Sequence, residues 1–143
     1  MPVNGFTVGR DVTLTVIDGS GSPLPLGLIT NFTSKQETTE QKVKGLDGIT
    51  RPVKFYDGWS GSFDIERQDS TVDNYFAGLE EDYYAGISEK PSSITETITE
   101  VDGSVSQYKY QGVLLKLDDA GGKSGDKTVA QKLSFYASRR IKM

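Results

Sequence analysis

The sequence contains neither cysteine nor histidine, and the two absences remove most catalytic chemistry before any pattern is read. Without cysteine there are no disulfides, no thiolate metal sites and no sulfur nucleophile. Without histidine there is no imidazole base near neutral pH and no common transition-metal ligand. Ser-His-Asp and Cys-His machinery and HExxH zinc sites are thereby excluded. An enzyme built from this chain would depend on carboxylates, or on a Lys or Tyr of shifted pKa. No catalytic residue, cofactor or metal is expected. Long apolar runs are also missing: the longest are a few residues, against the ~20 that a spanning helix requires. The start, Met1-Pro2-Val3-Asn4-Gly5, has no basic segment followed by an apolar run, so no signal peptide is read there. The expectation is a soluble chain made in the cytoplasm. Positive charge is in short supply too, and a net charge of −4 argues against general affinity for nucleic acid.

What is present points to strands. The chain of 143 residues suits one domain, 1–143, and its 35% hydrophobic content is spread among Gly, Ser, Thr, β-branched and aromatic residues. Residues 10–17 alternate, with Val12, Leu14 and Val16 against Asp11, Thr13 and Thr15. A Gly/Ser/Pro cluster from Asp18 to Pro23 ends that strand. Residues 28–39 form a second strand, apolar at Leu28, Ile29 and Phe32 and wholly polar from Thr33. Residues 40–57 have no clear periodicity and read as a long loop, the kind that is usually functional or disordered. Together 33–57 are expected to act as an apolar-poor arm toward another molecule. Its candidate contact residues are Lys35, Glu37, Glu40, Lys42, Lys44, Asp47, Arg51 and Lys54.

Residues 58–67 alternate cleanly, with Trp59, Gly61, Phe63 and Ile65 on one face and Ser60, Ser62, Asp64 and Glu66 on the other. A helix is expected over 69–86, with a Ser70-to-Asp73 capping box and Gly86 as its stop. Val72, Tyr75, Phe76, Leu79 and Tyr83 share one helical face. Trp59, Phe63, Phe76, Leu79 and Tyr83 are the residues expected to join helix to core. Asp102-Gly103 signals a two-residue hairpin between strands 93–101 and 104–117. A Gly-, Asp- and Lys-rich loop, 118–127, precedes a last strand, 128–141. The fold class is mainly β: an antiparallel sandwich or barrel of six to seven strands with one flanking α-helix.

No site chemistry stands out. Gly19-Ser20-Gly21 and Gly121-Gly122 lack the strand–loop–helix setting and the Lys of a phosphate loop. Asp118-Asp119 and Glu80-Glu81-Asp82 do not match a calcium loop. Asp64 and Glu66 lie about 7 Å apart on one strand face, a spacing open to glycoside hydrolysis, but nothing nearby raises one pKa selectively. A binding module would instead use Trp59, Tyr83, Tyr84, Tyr108 and Tyr110 as a carbohydrate or protein contact surface.

The order of elements, with Gly9-Arg10-Asp11-Val12, Trp59-Ser60-Gly61-Ser62-Phe63 and Ile65-Glu66-Arg67 leading to a helix that holds Tyr83-Tyr84, resembles tail tube proteins of contractile-tailed phages. These are related to the tube protein of type VI secretion. The resemblance implies hexameric rings stacked into a hollow tube, each subunit adding four strands to an inner barrel of about 24. At ~4.8 Å per strand and ~40° tilt such a barrel closes at roughly 48 Å, leaving about 35 to 40 Å inside the side chains. It implies a virion tail location, sheath, baseplate and terminator partners, and DNA passing without specific binding. Asp64, Glu66, Glu96 and Glu100 would line an acidic lumen, and residues 1–9 would form a further contact arm.

Overall fold

The computed structural model describes residues 3–143. A single 3₁₀ turn, Gly9–Asp11, is held by the Asp11 carboxylate, which accepts the Val8 N–H at 2.9 Å. It leads into β1 (Val12–Ile17), whose Val16 enters the core. The strands that follow are β2 (Leu28–Lys44) and β3 (Thr50–Glu66), then α1 (Thr71–Tyr84). The chain continues through β4 (Ser92–Thr99), β5 (Val105–Asp119), β6 (Ala130–Ala137) and β7 (Arg139–Lys142). All pairings are antiparallel, in the order β1-β4-β5-β6-β3-β2, with β7 also on β5. The described residues thus form the expected mainly β fold of seven strands and one helix. The sheet curves around its core without closing.

The curvature comes from a corner in β5. Gly112 has φ 64°, where a side chain is strained, and a Cβ there would meet the Ser138 side chain. Opposite it, Ser138 N donates to Gln111 O at 2.9 Å and Ser138 Oγ to the same oxygen at 3.0 Å. Both strands turn together, so the single terminal strand expected over 128–141 is two, β6 and β7. The first half of β5 belongs with β4 and β7, the second half with β6.

The core fills the bend. Phe63, Ile65, Leu133, Phe135, Val113 and Leu115 come from one side, Val16, Ile94 and Tyr110 from the other. Leu24 and Leu26 from the β1–β2 connection and Val72 from α1 complete it. Phe135 is the aromatic centre, 5.8 Å from Phe32, 6.4 Å from Phe63 and 5.5 Å from Tyr110 between ring centroids. Tyr110 satisfies its buried hydroxyl on Ser34 Oγ at 3.0 Å. Gly61 is required by this packing, since a Cβ would strike the Thr33 carbonyl and the Phe135 ring.

The largest departure from expectation is residues 40–57. They are not an irregular loop: β2 and β3 pair continuously from Leu28↔Glu66 to Lys44↔Thr50, interrupted by two register shifts. Pro52 fits because this part of β3 has β2 on one side only, leaving an edge that needs no N–H. The other corrections are local. The turn at Asp102-Gly103 has three residues: Glu100 N donates to Ser104 O at 2.8 Å, Gly103 N to Glu100 O at 3.1 Å, and Gly103 has φ 87°. The capping box does not form; Asp69 Oδ1 takes the Thr71 N–H at 3.0 Å, and Asp73 is engaged by Arg67 and Gln131. Gly86 does stop the helix, with φ 80° and paired bonds from Gly86 N to Tyr83 O and Ile87 N to Asp82 O.

Candidate assembly surfaces

Strands β2, β3, β6 and the second half of β5 form a four-stranded sheet whose inner face is core. Its outer face is wet. Cross-strand neighbours there are Lys35, Ser60 and Tyr136; Thr33, Ser62, Ser134 and Lys116; and Asn31, Asp64 and Lys132. Glu66 continues the row beside Leu28 and Ala130. Asp118 joins it, accepting Ser134 Oγ at 2.9 Å.

The face therefore carries Lys35, Lys116 and Lys132 against Asp64, Glu66, Asp118 and Asp119, with Glu37 bonded to Ser60 at its side, so its acids outnumber its bases. Of the four acids expected on a common surface, Asp64 and Glu66 are brought together here and the other two are not. Glu96 turns inward from β4 and is 8% exposed, with Arg140 Nη2 at 3.4 Å from its Oε1. Arg140 comes from β7 and is stacked among rings, its Cζ 3.6 Å from the Tyr108 centroid and 4.6 Å from that of Trp59. Glu100 stands at the β4–β5 turn in the other half of the molecule.

Two edges of this sheet are open. The path of strands ends at β2, and the second half of β5 has β6 on one side and no strand on the other among the described residues. With four strands alternating in direction, β2 and the last stretch of β5 run antiparallel. A second copy placed edge to edge would continue the same alternation.

The arm extends from this sheet. Past the register shift between Gln36 and Thr38, no residue from 38 to 57 is buried. One face of the arm holds Thr39↔Phe55, Gln41↔Val53 and Val43↔Arg51; the other holds Thr38↔Tyr56, Glu40↔Lys54, Lys42↔Pro52 and Lys44↔Thr50. The arm is not apolar-poor: Val43, Val53 and Phe55 are exposed on it, with Leu46 and Ile49 at its tip. Some of its charges find local partners, Asp47 with Arg51 at 2.8 Å and Lys54 over the Tyr56 ring at 4.9 Å. Glu37 accepts Ser60 Oγ at 2.7 Å.

Trp59, Phe63 and Phe76 pack on the core, Leu79 is half-buried, and Tyr83 is 74% exposed, one turn beyond the last residue the core can cover. The aromatic contact surface of a binding module does not form. Tyr110 is fully buried, Trp59 and Tyr108 hold Arg140, and Tyr83 and Tyr84 lie apart at the helix end. No helix among the described residues is long and apolar enough to cross a membrane.

An unclosed, curved antiparallel sheet with a wet outer face, one flanking helix and a long hairpin is the fold of tube and tube-terminator proteins of contractile injection systems. The chain aligns over 100% of its length with 94% of a chain from the anti-feeding prophage cap (AFP tube terminating cap), at a TM-score of 0.67 and 9% identity. It aligns over 100% of its length with 96% of a chain from an extracellular contractile injection system, the PVC sheath/tube terminator in its extended state, at 0.63 and 10%. A chain from the 6-fold symmetrised anti-feeding prophage baseplate matches at 0.57 and 9%, over 100% of this chain and 96% of that one. At these identities the likeness is one of fold. No protein-family model and no curated protein matches the sequence. These three chains come from the cap, the sheath/tube terminator and the baseplate of such particles.

Proposed function

We propose that the chain is the structural subunit of a tail tube, forming hexameric rings that stack into a hollow conduit. The observation that carries this reading is the pair of open, antiparallel edges on a four-stranded sheet whose outer face is polar. An open strand edge is a liability in a monomer, and pairing β2 of one copy with the end of β5 in the next removes both edges at once. The outer faces then join as a water-filled lining. Six copies, the ring number implied by the resemblance, supply about 24 strands. Because Lys35, Lys116 and Lys132 are outnumbered by Asp64, Glu66, Asp118 and Asp119, the lining holds no excess of cations to grip phosphates, and DNA slides through without specific binding. The arm, with its apolar face, reaches a neighbouring subunit or ring, and residues 1–9 add a second contact. Sheath, baseplate and terminator are the further partners, in a virion tail assembled from chains made in the host bacterial cytoplasm.

Negative-stain microscopy of the purified protein over a concentration series tests this. Rings or tubes with a central channel are expected; a chain that remains monomeric at high concentration overturns it.

A further inference from the structure

Glycine follows a side-chain carbonyl group at Asn4, Asp18, Asp47, Asp57 and Asp102. With no Cβ to shield it, a glycine N can reach the carbonyl carbon of the preceding side chain and close a five-membered imide. The aspartates are held away from that reaction. Hydrogen bonds from Ser20, Arg51 and Ser104 keep the Asp18, Asp47 and Asp102 carboxyls below their ordinary range, and an ionised carboxylate is a poor electrophile. Gly48 and Gly103 also commit their N–H groups, to Gly45 O at 3.0 Å and Glu100 O at 3.1 Å. Asp57 accepts the Thr39 hydroxyl. Gly19 and Gly58 are wedged against backbone, where a Cβ would stand 2.5 Å from the Lys90 and Ala137 carbonyl oxygens.

Asn4-Gly5 has none of these restraints. Val3 and Phe6 exchange hydrogen bonds at 3.1 and 2.9 Å around it, and φ values of 53° and 79° make the pair the centre of a type I′ turn. All four residues are exposed, and neither the Asn4 amide nor the Gly5 N–H has a partner among the described residues. Nothing lies within 4 Å of where a Gly5 Cβ would stand. A single bridged pair is marginal in water, so the turn opens readily and brings Gly5 N to Asn4 Cγ. The other asparagines are fixed and precede bulky residues. Asn31 is paired with Asp64 before Phe32, and Asn74 lies in α1 before Tyr75, its amide on Ser70 Oγ at 3.2 Å.

We propose that Asn4 is a site of spontaneous covalent modification, which removes its carboxamide and turns the N-terminal hairpin acidic. Gly5 N loses its proton and bonds to Asn4 Cγ; the Cγ–Nδ2 bond breaks, and the side-chain nitrogen takes a proton and leaves as ammonia. Water, the only co-reactant, then opens the imide. Cleavage at Cγ leaves aspartate. Cleavage at the main-chain carbonyl carbon leaves isoaspartate, whose backbone runs through Cβ and is one carbon longer. Both products add a negative charge, and the longer backbone no longer fits the Val3–Phe6 bridge, which frees the exposed Phe6. The body of the fold is untouched. The site depends on this turn alone, not on what the chain assembles into.

The test incubates the full chain in mildly alkaline buffer, folded or in guanidinium chloride, then digests it in acid for mass spectrometry. Isoaspartate is scored separately with an isoaspartyl methyltransferase. The peptide holding Asn4 is expected to exchange its amide nitrogen for oxygen and to split into aspartate and isoaspartate forms. Those holding Asn31 and Asn74 stay unchanged in the folded chain. Conversion of Asn4 in the folded chain should run within about tenfold of its rate in denaturant, because a frayed terminal turn opens at almost no cost. Asn4→Gly, which keeps a turn of two positive-φ residues, removes the isoaspartate signal. Intact Asn4 in the folded chain, under conditions that convert it in denaturant, overturns the proposal. Conversion of Asn31 or Asn74 at the same rate also overturns it, since the reaction would then report global unfolding. An isoaspartate signal that survives Asn4→Gly does so too, by placing the reaction at an Asp-Gly turn.

Discussion

Strands β2 and β3 pass through two environments, and the contrast between them separates what folds the chain from what it is folded for. In the body they carry Phe32, Phe63 and Ile65 into a core shared with β6 and α1. Beyond Gly58 the same strands keep their ladder but leave the core, and nothing from 38 to 57 is buried. A two-stranded hairpin is marginal in water without a third partner. The arm keeps its register because the body clamps its base, and its apolar residues do nothing for the monomer.

Mutations on the two sides of Gly58 should therefore behave oppositely. Phe135→Ala, at the aromatic centre, is expected to cost the monomer about 3–5 kcal/mol by urea denaturation. Glu96→Ala leaves Arg140 without its carboxylate in a nearly buried setting and should cost about 3 kcal/mol, with an altered Trp59 emission. Val53→Ser/Phe55→Ser, in contrast, should move monomer stability by no more than ~0.5 kcal/mol while abolishing rings in negative stain. A loss of several kcal/mol in that double variant would break the comparison, and so would intact rings. Hydrogen exchange should sharpen it, with arm amides exchanging well before those of β6.

The smallest effect is on pH dependence. The Arg67 guanidinium and then the Gln131 amide hold the Asp73 carboxyl below its ordinary range. A depressed folded-state value stabilises above the unfolded pKa and is lost as pH falls through the folded one, so the body weakens below about pH 4. Asp73→Asn should flatten that acid limb. Burial pushes the Tyr110 hydroxyl up. Its contribution is complete below the unfolded value near ~10 and lost as pH rises through the folded one.

Much of the body was legible in the sequence. Period-two alternation at Trp59-Gly61-Phe63-Ile65 and the helical spacing of Val72, Tyr75 and Phe76 report burial directly, because each such residue faces the core. The arm was not legible for the same reason turned around: without a core there is no alternation to see, and Gly45, Gly48 and Pro52 look like loop residues until β2 is laid beside them. Tyr83 follows the helical spacing correctly, but the spacing does not say where the body ends beneath it. Glu96 read as a wet acid because its partner, Arg140, arrives 44 residues later on β7. The open edges of β2 and β5 left no sequence signal, since they are a property of which strands are missing.

Gly58 has a consequence of its own. With φ 95°, and with the Ala137 carbonyl 2.5 Å from where a Cβ would stand, it occupies the irregularity where β3 holds one residue more than β2. That extra residue shifts the phase of the strand by half a period. Val53 and Phe55 have the same odd parity as Trp59 and Phe63, yet they emerge on the opposite side, in line with Lys35, Ser60 and Asp64. The glycine acts as an inverter: apolar residues at odd-numbered positions on its two sides are aimed at different clients. Deleting this single position would rejoin them and leave the arm facing the wrong way.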